Sequence, residues 1–220
     1  MKKLILISTT ACLIITSLFF SGCLKDTKYP DIIAANDTIH GTLKYKQTDA
    51  EGGNIVAWPY GSAVFKAVAG SSDEIASAAV NADGTFTLVL PGTLWGGYLG
   101  NLTDVSNYQG GTLKATPSSV RFLSTIMYRV DYKDNGSAKT ILTNLYTLKA
   151  NNSVDKSYFY NFYDSDGTFA GTTSAGNVFN WSFKKGWGMV EYYITNASLS
   201  LFSTKSVSTV PSNAVWVNLQ

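Results

Sequence analysis

Apolar and polar residues alternate with period two along most of this chain, the pattern of β-strands that bury one face. Ile39, Gly41, Leu43 and Tyr45 alternate with His40, Thr42, Lys44 and Lys46, which turns His40 outward. A second strand pattern covers Ala63 to Val68. A third follows Asn81-Ala82-Asp83-Gly84, with Phe86, Leu88 and Leu90 opposed to Thr85 and Thr87 until Pro91-Gly92 ends it. The Asp83-Gly84 step supplies the left-handed backbone of a tight turn. A long apolar run from Val120 to Tyr132 then meets Asn135-Gly136 and a partner from Thr140 to Leu148, the strongest hairpin signal a sequence carries. Further strands are legible at Tyr158 to Tyr163, Phe179 to Lys184, Met189 to Thr195 and Val215 to Leu219. No segment shows a helical period. Residues 103–119, rich in Thr, Ser, Asn and Gly, interrupt the strand patterns. The expected architecture is all-β: two β-sandwich domains in series, at 37–105 and 120–220, joined by a linker at 106–119.

The first residues follow another rule. Lys2 and Lys3 precede an apolar stretch from Leu4 to Phe20, the layout of a secretory signal peptide. It ends in Phe20-Ser21-Gly22-Cys23, which resembles the lipobox of bacterial lipoproteins. The resemblance implies that residues 1–22 are removed and that Cys23 carries the lipid as the new N-terminus. Residues 23–36 would form the lipidated tether. Leu24 stands where an inner-membrane retention aspartate would stand, which favours the outer membrane, and Lys25-Asp26 resembles the charged surface-export signals of Bacteroidetes lipoproteins. Asp37-Thr38-Ile39 resembles the Asp-Thr-aliphatic sequence at which some Bacteroidetes attach O-glycans, making Thr38 a candidate modification site.

Within the first unit, Ile39-His40-Gly41-Thr42-Leu43, Gly61-Ser62-Ala63-Val64-Phe65 and Ala79-Val80-Asn81-Ala82-Asp83-Gly84-Thr85-Phe86-Thr87-Leu88-Val89-Leu90-Pro91 resemble successive strands of carboxypeptidase regulatory-like, transthyretin-like domains. The stretch from Glu51 to Gly61 departs from that pattern. The resemblance implies a seven-stranded sandwich used as a spacer or binding module, with no catalytic residues to carry over. Phe162-Tyr163-Asp164-Ser165-Asp166-Gly167 and Phe183-Lys184-Lys185-Gly186-Trp187 resemble segments of Bacteroidetes surface lipoproteins, which speaks to provenance rather than activity.

Charge and reactive side chains narrow the function classes. Removing residues 1–22 takes two lysines, leaving 15 of the 17 basic residues against 15 acidic ones. A chain of zero net formal charge offers no electrostatic case for nucleic acid, so its contact with the membrane is expected through the lipid on Cys23. Cys12 leaves with the signal, so the exported part has no pair of thiols for a disulfide or a thiolate metal site. The single histidine, His40, excludes a histidine-rich zinc centre and leaves a Ser-His-Asp triad only one possible base. No Gly-rich phosphate loop is present. No cofactor or metal is expected; Asp164 and Asp166 fit a turn better than a calcium loop.

What remains is aromatic and acidic. One face of the strand near residue 190 carries Trp187, Met189, Glu191 and Tyr193, and Trp216 alternates against Val215, Val217 and Leu219. An aromatic surface of Trp187, Tyr193 and Trp216, with Glu191 orienting hydroxyls, would bind a glycan or a surface protein. Three functions follow: a non-enzymatic binding or spacer lipoprotein, a carbohydrate-active enzyme with a carboxylate pair that includes Glu191, and a filament or adhesin component whose open edge accepts a strand. The lipid expectation is tested directly. Cys23→Ser should abolish labelling by radioactive palmitate and move the protein from the membrane pellet to the supernatant; retention in the pellet with label would place the anchor elsewhere.

Overall fold

A computed structural model describes residues 29–47, 53–70, 72–123 and 126–219. Cys23 and the signal segment lie outside the described residues. The chain is mostly strand: β1 (Asp31–Ile33), β2 (Asp37–Thr42), β3 (Lys44–Lys46), β4 (Ile55–Ala57), β5 (Ala63–Ala69), β6 (Asp73–Val80), β7 (Thr85–Leu90), β8 (Thr93–Trp95) and β9 (Gly100–Asn101) precede one helix, α1 (Leu102–Gln109). After it come β10 (Lys114–Thr116), β11 (Arg121–Leu123), β12 (Ile126–Asp134), β13 (Ser137–Leu148), β14 (Val154–Tyr163), β15 (Gly167–Thr172), β16 (Val178–Phe183), β17 (Gly186–Asn196), β18 (Leu201–Val207) and β19 (Val215–Val217).

The two expected hairpin turns form. Asn135 and Gly136 have φ of 49° and 81°, the paired left-handed geometry that matches the twist of the flanking strands, and β12 pairs with β13 from Asp134↔Ser137 to Tyr128↔Thr143. At the earlier turn Gly84 has φ 85°, and Asp83 Oδ1 accepts from Thr85 N at 2.9 Å and from Thr85 Oγ1 at 2.7 Å.

Hydrogen bonding runs unbroken from one half of the chain to the other. One half-sheet reads β2-β7-β6-β5-β12-β13, and the path continues through β14, β17, β18, β16, β15 and β10. β13 makes the transition. Its first residues pair with β12, while Leu145 and Tyr146 pair with β14 on one side and with β19 on the other. The Val120–Tyr132 run, expected as one strand, divides between β11, which pairs β14 and β9, and β12, which pairs β5. The segment expected as a linker holds the end of α1 and β10, which pairs β15. α1 was not expected from periodicity because only Leu102, Val105 and Ser106 face inward on its two turns.

The first core is closed by the last strand. Leu43 N donates to Gly84 O, so Leu43 faces β7 and its neighbours Thr42 and Lys44 face the other way, where Leu43 and Trp216 form a parallel bridge. Trp216, 1 % exposed, sits among Phe65, Phe86 and Tyr128 with ring centroids 5.0, 6.1 and 4.7 Å away. Gly41 makes the room: a Cβ there would lie 2.5 Å from Phe86 Cζ and 2.7 Å from Trp216 Cδ1. A second core gathers Leu102, Phe122, Tyr163, Phe169, Trp181 and Phe183 beneath α1. A smaller third packs Leu94, Leu99, Leu123 and Phe162 where the N-terminal segment docks.

Trp216→Ala is expected to lower stability by about 3–5 kcal/mol, as for a buried tryptophan, and Gly41→Ala by about 1–3 kcal/mol through overpacking. Urea unfolding gives the magnitudes. Amide exchange should show the first loss of protection in β5 and β7; an unchanged midpoint for both variants would show that β19 is dispensable to that core.

Candidate functional site

A polar cleft of about 750 Å³ lies between β2 with β7 on one side and the start of β17 with the segment after β18 on the other. Its first wall is built by strand alternation: Thr38 and His40 are exposed on β2, and Thr87, opposite His40, presents its hydroxyl 3.1 Å from His40 Nδ1. Tyr160 and Trp187 also line it, and Ser208, Thr209 and Ser212 complete the far wall. Trp187 is half-buried. Its ring meets Phe162 edge-on at 5.1 Å and its Nε1 donates to Pro91 O at 2.8 Å, so the indole is held in place by the protein and offers only part of its surface to the cleft. Burial pushes the Tyr160 phenol well above its ordinary range, and the nearby Asp37 carboxylate adds to that shift. Tyr160 is therefore a neutral hydroxyl at any physiological pH, able to donate or accept.

Of the four residues expected to share a binding surface, only Trp187 lies on this cleft. Trp216 fills the first core, because alternation along β19 says which residues share a face but not that the face meets Gly41 and Phe86. Glu191 and Tyr193 do share the Trp187 side of β17, but at the rise of a strand Tyr193 lies about 20 Å from Trp187. Tyr193 borders a smaller recess of about 280 Å³ with Lys149, Val154 and Lys156, and Lys156 Nζ stands 5.8 Å from its ring.

Glu191 is 5 % exposed, with Oε2 hydrogen-bonded and the buried Oε1 left without a hydrogen-bond partner. Register puts Tyr158 opposite it on β14 and Lys205 opposite it on β18. Its Oε2 accepts from Lys156 Nζ at 3.1 Å and from the Tyr158 hydroxyl at 3.3 Å, and Lys205 Nζ lies 3.5 Å from Oε1. The hydrogen bond to Glu191, and then its charge, hold the Lys156 ammonium above its usual pKa of 10.5. The residue read from sequence as an acid among aromatics is thus the buried centre of an ion-pair cluster. Asp164 and Asp166 are engaged as well: Asp164 takes Arg121 Nε and N, both at 2.9 Å, and Asp166 takes Lys184 Nζ and Lys185 N, both at 2.8 Å. Among the described residues no three His, Cys, Asp or Glu side chains come together to hold a metal ion, and no helix is long and apolar enough to cross a membrane.

A group of rings escaped the sequence reading. Tyr45, Trp58, Tyr60 and Tyr132 pack edge to face and tilted at centroid distances of 4.5–5.2 Å. Tyr60 and Tyr132 continue into a shallow apolar face with Ala63, Val64, Ala79 and Ala138. They lie on three separate segments, so only the pairing of β3 with β4 and of β5 with β12 gathers them.

Glu191→Gln should bring the Lys156 pKa back toward 10.5, read from lysine side-chain NMR titration. Because Glu191 raises that pKa, the pair's contribution is complete below about pH 10.5 and fades as pH climbs through the raised value. The stability gap between the two proteins should be about 1 kcal/mol at pH 7, discounted because both ammonium groups reach water, and should narrow above pH 10.5. No gap at neutral pH would remove the cluster's structural role. Compared with protein-family models, with curated proteins and with solved structures, the chain matches none.

Proposed function

We propose that this chain is an outward-facing outer-membrane lipoprotein, anchored through Cys23, that binds a glycan in the polar cleft without cleaving it. In this reading the N-terminal half is a transthyretin-like sandwich and the C-terminal half a second sandwich, and the cleft lies where the two meet. The observation that carries the proposal is the lining: hydroxyls of Thr38, Thr87, Ser208, Thr209 and Ser212 around the half-buried Trp187 ring, with the largely buried Tyr160 at its floor. Sugars present alternating apolar C–H faces and hydroxyl edges, and such a lining meets both. A neutral oligosaccharide suits it, since Asp37 is the one carboxylate on the cleft and no lysine or arginine lines it.

The same lining bears on the enzyme alternative. A glycosidase needs two carboxyl groups about 5–9.5 Å apart across the scissile bond, whereas Glu191 is committed to Lys156, Lys205 and Tyr158 away from the cleft. The filament alternative needs an open edge. On β2 that edge is short: Thr38 N donates to the Asp37 side chain at 2.8 Å, and beyond His40 the edge turns to β19.

Titration calorimetry with neutral oligosaccharides chosen from a glycan array provides the test. Tyr160→Phe and His40→Ala should each weaken binding about three- to tenfold, the worth of one hydrogen bond, while leaving the melting temperature within about 2 °C. Trp187→Ala cannot serve, because it also removes the contact with Phe162 and the bond to Pro91. Blank arrays would leave a spacer role as the better account, and release of reducing ends from a bound glycan would return the enzyme.

A further inference from the structure

Residues 29–36, expected as part of a loose tether, are bound to the body. β1 pairs with β8 from Asp31↔Trp95 to Ile33↔Thr93, Gly96 N donates to Pro30 O at 3.2 Å, and Gly92 N donates to Asn36 Oδ1 at 2.6 Å. Alternation on this two-stranded ribbon sends Ile32 and Leu94 inward to the third core. Asp31, Ile33, Thr93 and Trp95 take the outer face. Tyr29 meets Trp95 edge-on at 6.5 Å, and Trp95 meets Tyr98 edge-on at 5.3 Å. Ile33 is 68 % exposed and Tyr29 38 % exposed. The result is a small aromatic and aliphatic rim at the place where the described chain begins.

We propose that this rim of Tyr29, Ile33, Trp95 and Tyr98 is the surface on which the protein seats against the headgroup layer of the membrane. The proposal rests on the lipid-anchor reading. Five residues lie between Cys23 and Tyr29, and the six extended steps they span reach about 20 Å. With its lipid inserted, Cys23 keeps the rim within that distance of the bilayer however the body tilts. Had the tether run free to Asn36, the reach would have been about 45 Å and no particular face would meet the lipid. Aromatic rings settle at the headgroup level, and since Trp95 Nε1 is buried, Trp95 offers that zone its ring alone. Charge narrows the lipid. The Tyr98 hydroxyl donates to Asp73 at 2.7 Å and Asp31 stands opposite Trp95, so two carboxylates border the rim and favour a zwitterionic surface over an anionic one.

The mature, membrane-extracted protein reconstituted in phosphatidylcholine nanodiscs, with bromines on the upper acyl carbons, tests this. Intact mass reports the lipid, and tryptophan fluorescence reports contact. Lipidated protein should be quenched by the brominated lipid, and the quenched fraction should disappear in Trp95→Phe. Ile33→Asp, at an exposed position that leaves the fold intact, should reduce quenching of Trp95 by at least half. Quenching that is absent, or unchanged in Trp95→Phe, on protein whose mass includes the lipid would overturn the seating while keeping the anchor. A mass without lipid would overturn both, and the mass alone would show that the anchor failed first.

Discussion

Trp216 comes from the end of the chain and fills the centre of a core whose other rings, Phe65, Phe86 and Tyr128, come from far upstream. That insertion is the constraint on which the other features rest. Gly41 is small because the indole and Phe86 both press against it, and β2, paired along its length with β7, is linked to β13 through β19. The enclosure is a ring of strands, β2-β7-β6-β5-β12-β13 and β19, with a single bridge as its last contact. A small β core gains from such closure, since an unpaired edge over buried rings would admit water to backbone groups that have no other partner.

The cleft is a by-product of the same closure. β19 covers the Thr42 to Lys44 stretch of the β2 edge but stops short of Thr38 and His40, and the segment from Val207 to Ala214 that delivers β19 forms the opposite wall. Trp187 then ties the cleft to the docked N-terminal segment, because its indole donates to Pro91 O and the next residue, Gly92, accepts from Ala34 N at 2.6 Å. Cleft, closing strand and N-terminal ribbon are therefore one mechanical unit. The buried Glu191 cluster does related work in the other half, pinning β14 and β18 to β17 through charges whose loss would be felt by all three strands.

Strand positions were largely legible because a half-buried strand writes its orientation into every second residue. His40 outward, the Asn135-Gly136 turn and the Trp187-to-Tyr193 face all follow from local rules. What could not be read is pairing between distant segments. Along Val120–Tyr132 every even-numbered residue but Ser124 is apolar, so the alternation runs straight through the place where β11 gives way to β12. Glu191 looks available until Lys156 and Lys205 are placed beside it by two registers, neither of which is visible in β17 itself. The polar 103–119 segment resembles a linker because a short helix and an edge strand need few apolar contacts. Of the candidate surface, Trp187 kept its place, Tyr193 and Glu191 went to another region, and Trp216 became core, since aromatic content alone does not separate a ring that binds from a ring that packs.

Lys46 and Leu219, 173 positions apart in the chain, meet through Nζ and carbonyl at 3.2 Å, and that separation carries a consequence for how the molecule is made. A chain is made from its N-terminus, so β2, β5 and β7 arrive long before β19. During that interval Phe65, Phe86 and Leu88 line a trough with no lid, and the loop to be closed is almost the whole polypeptide. Early compaction of the N-terminal half can hold its strands together but cannot finish its interior. β19 acts as the latch, so any arrest before it emerges strands an open, sticky intermediate prone to association.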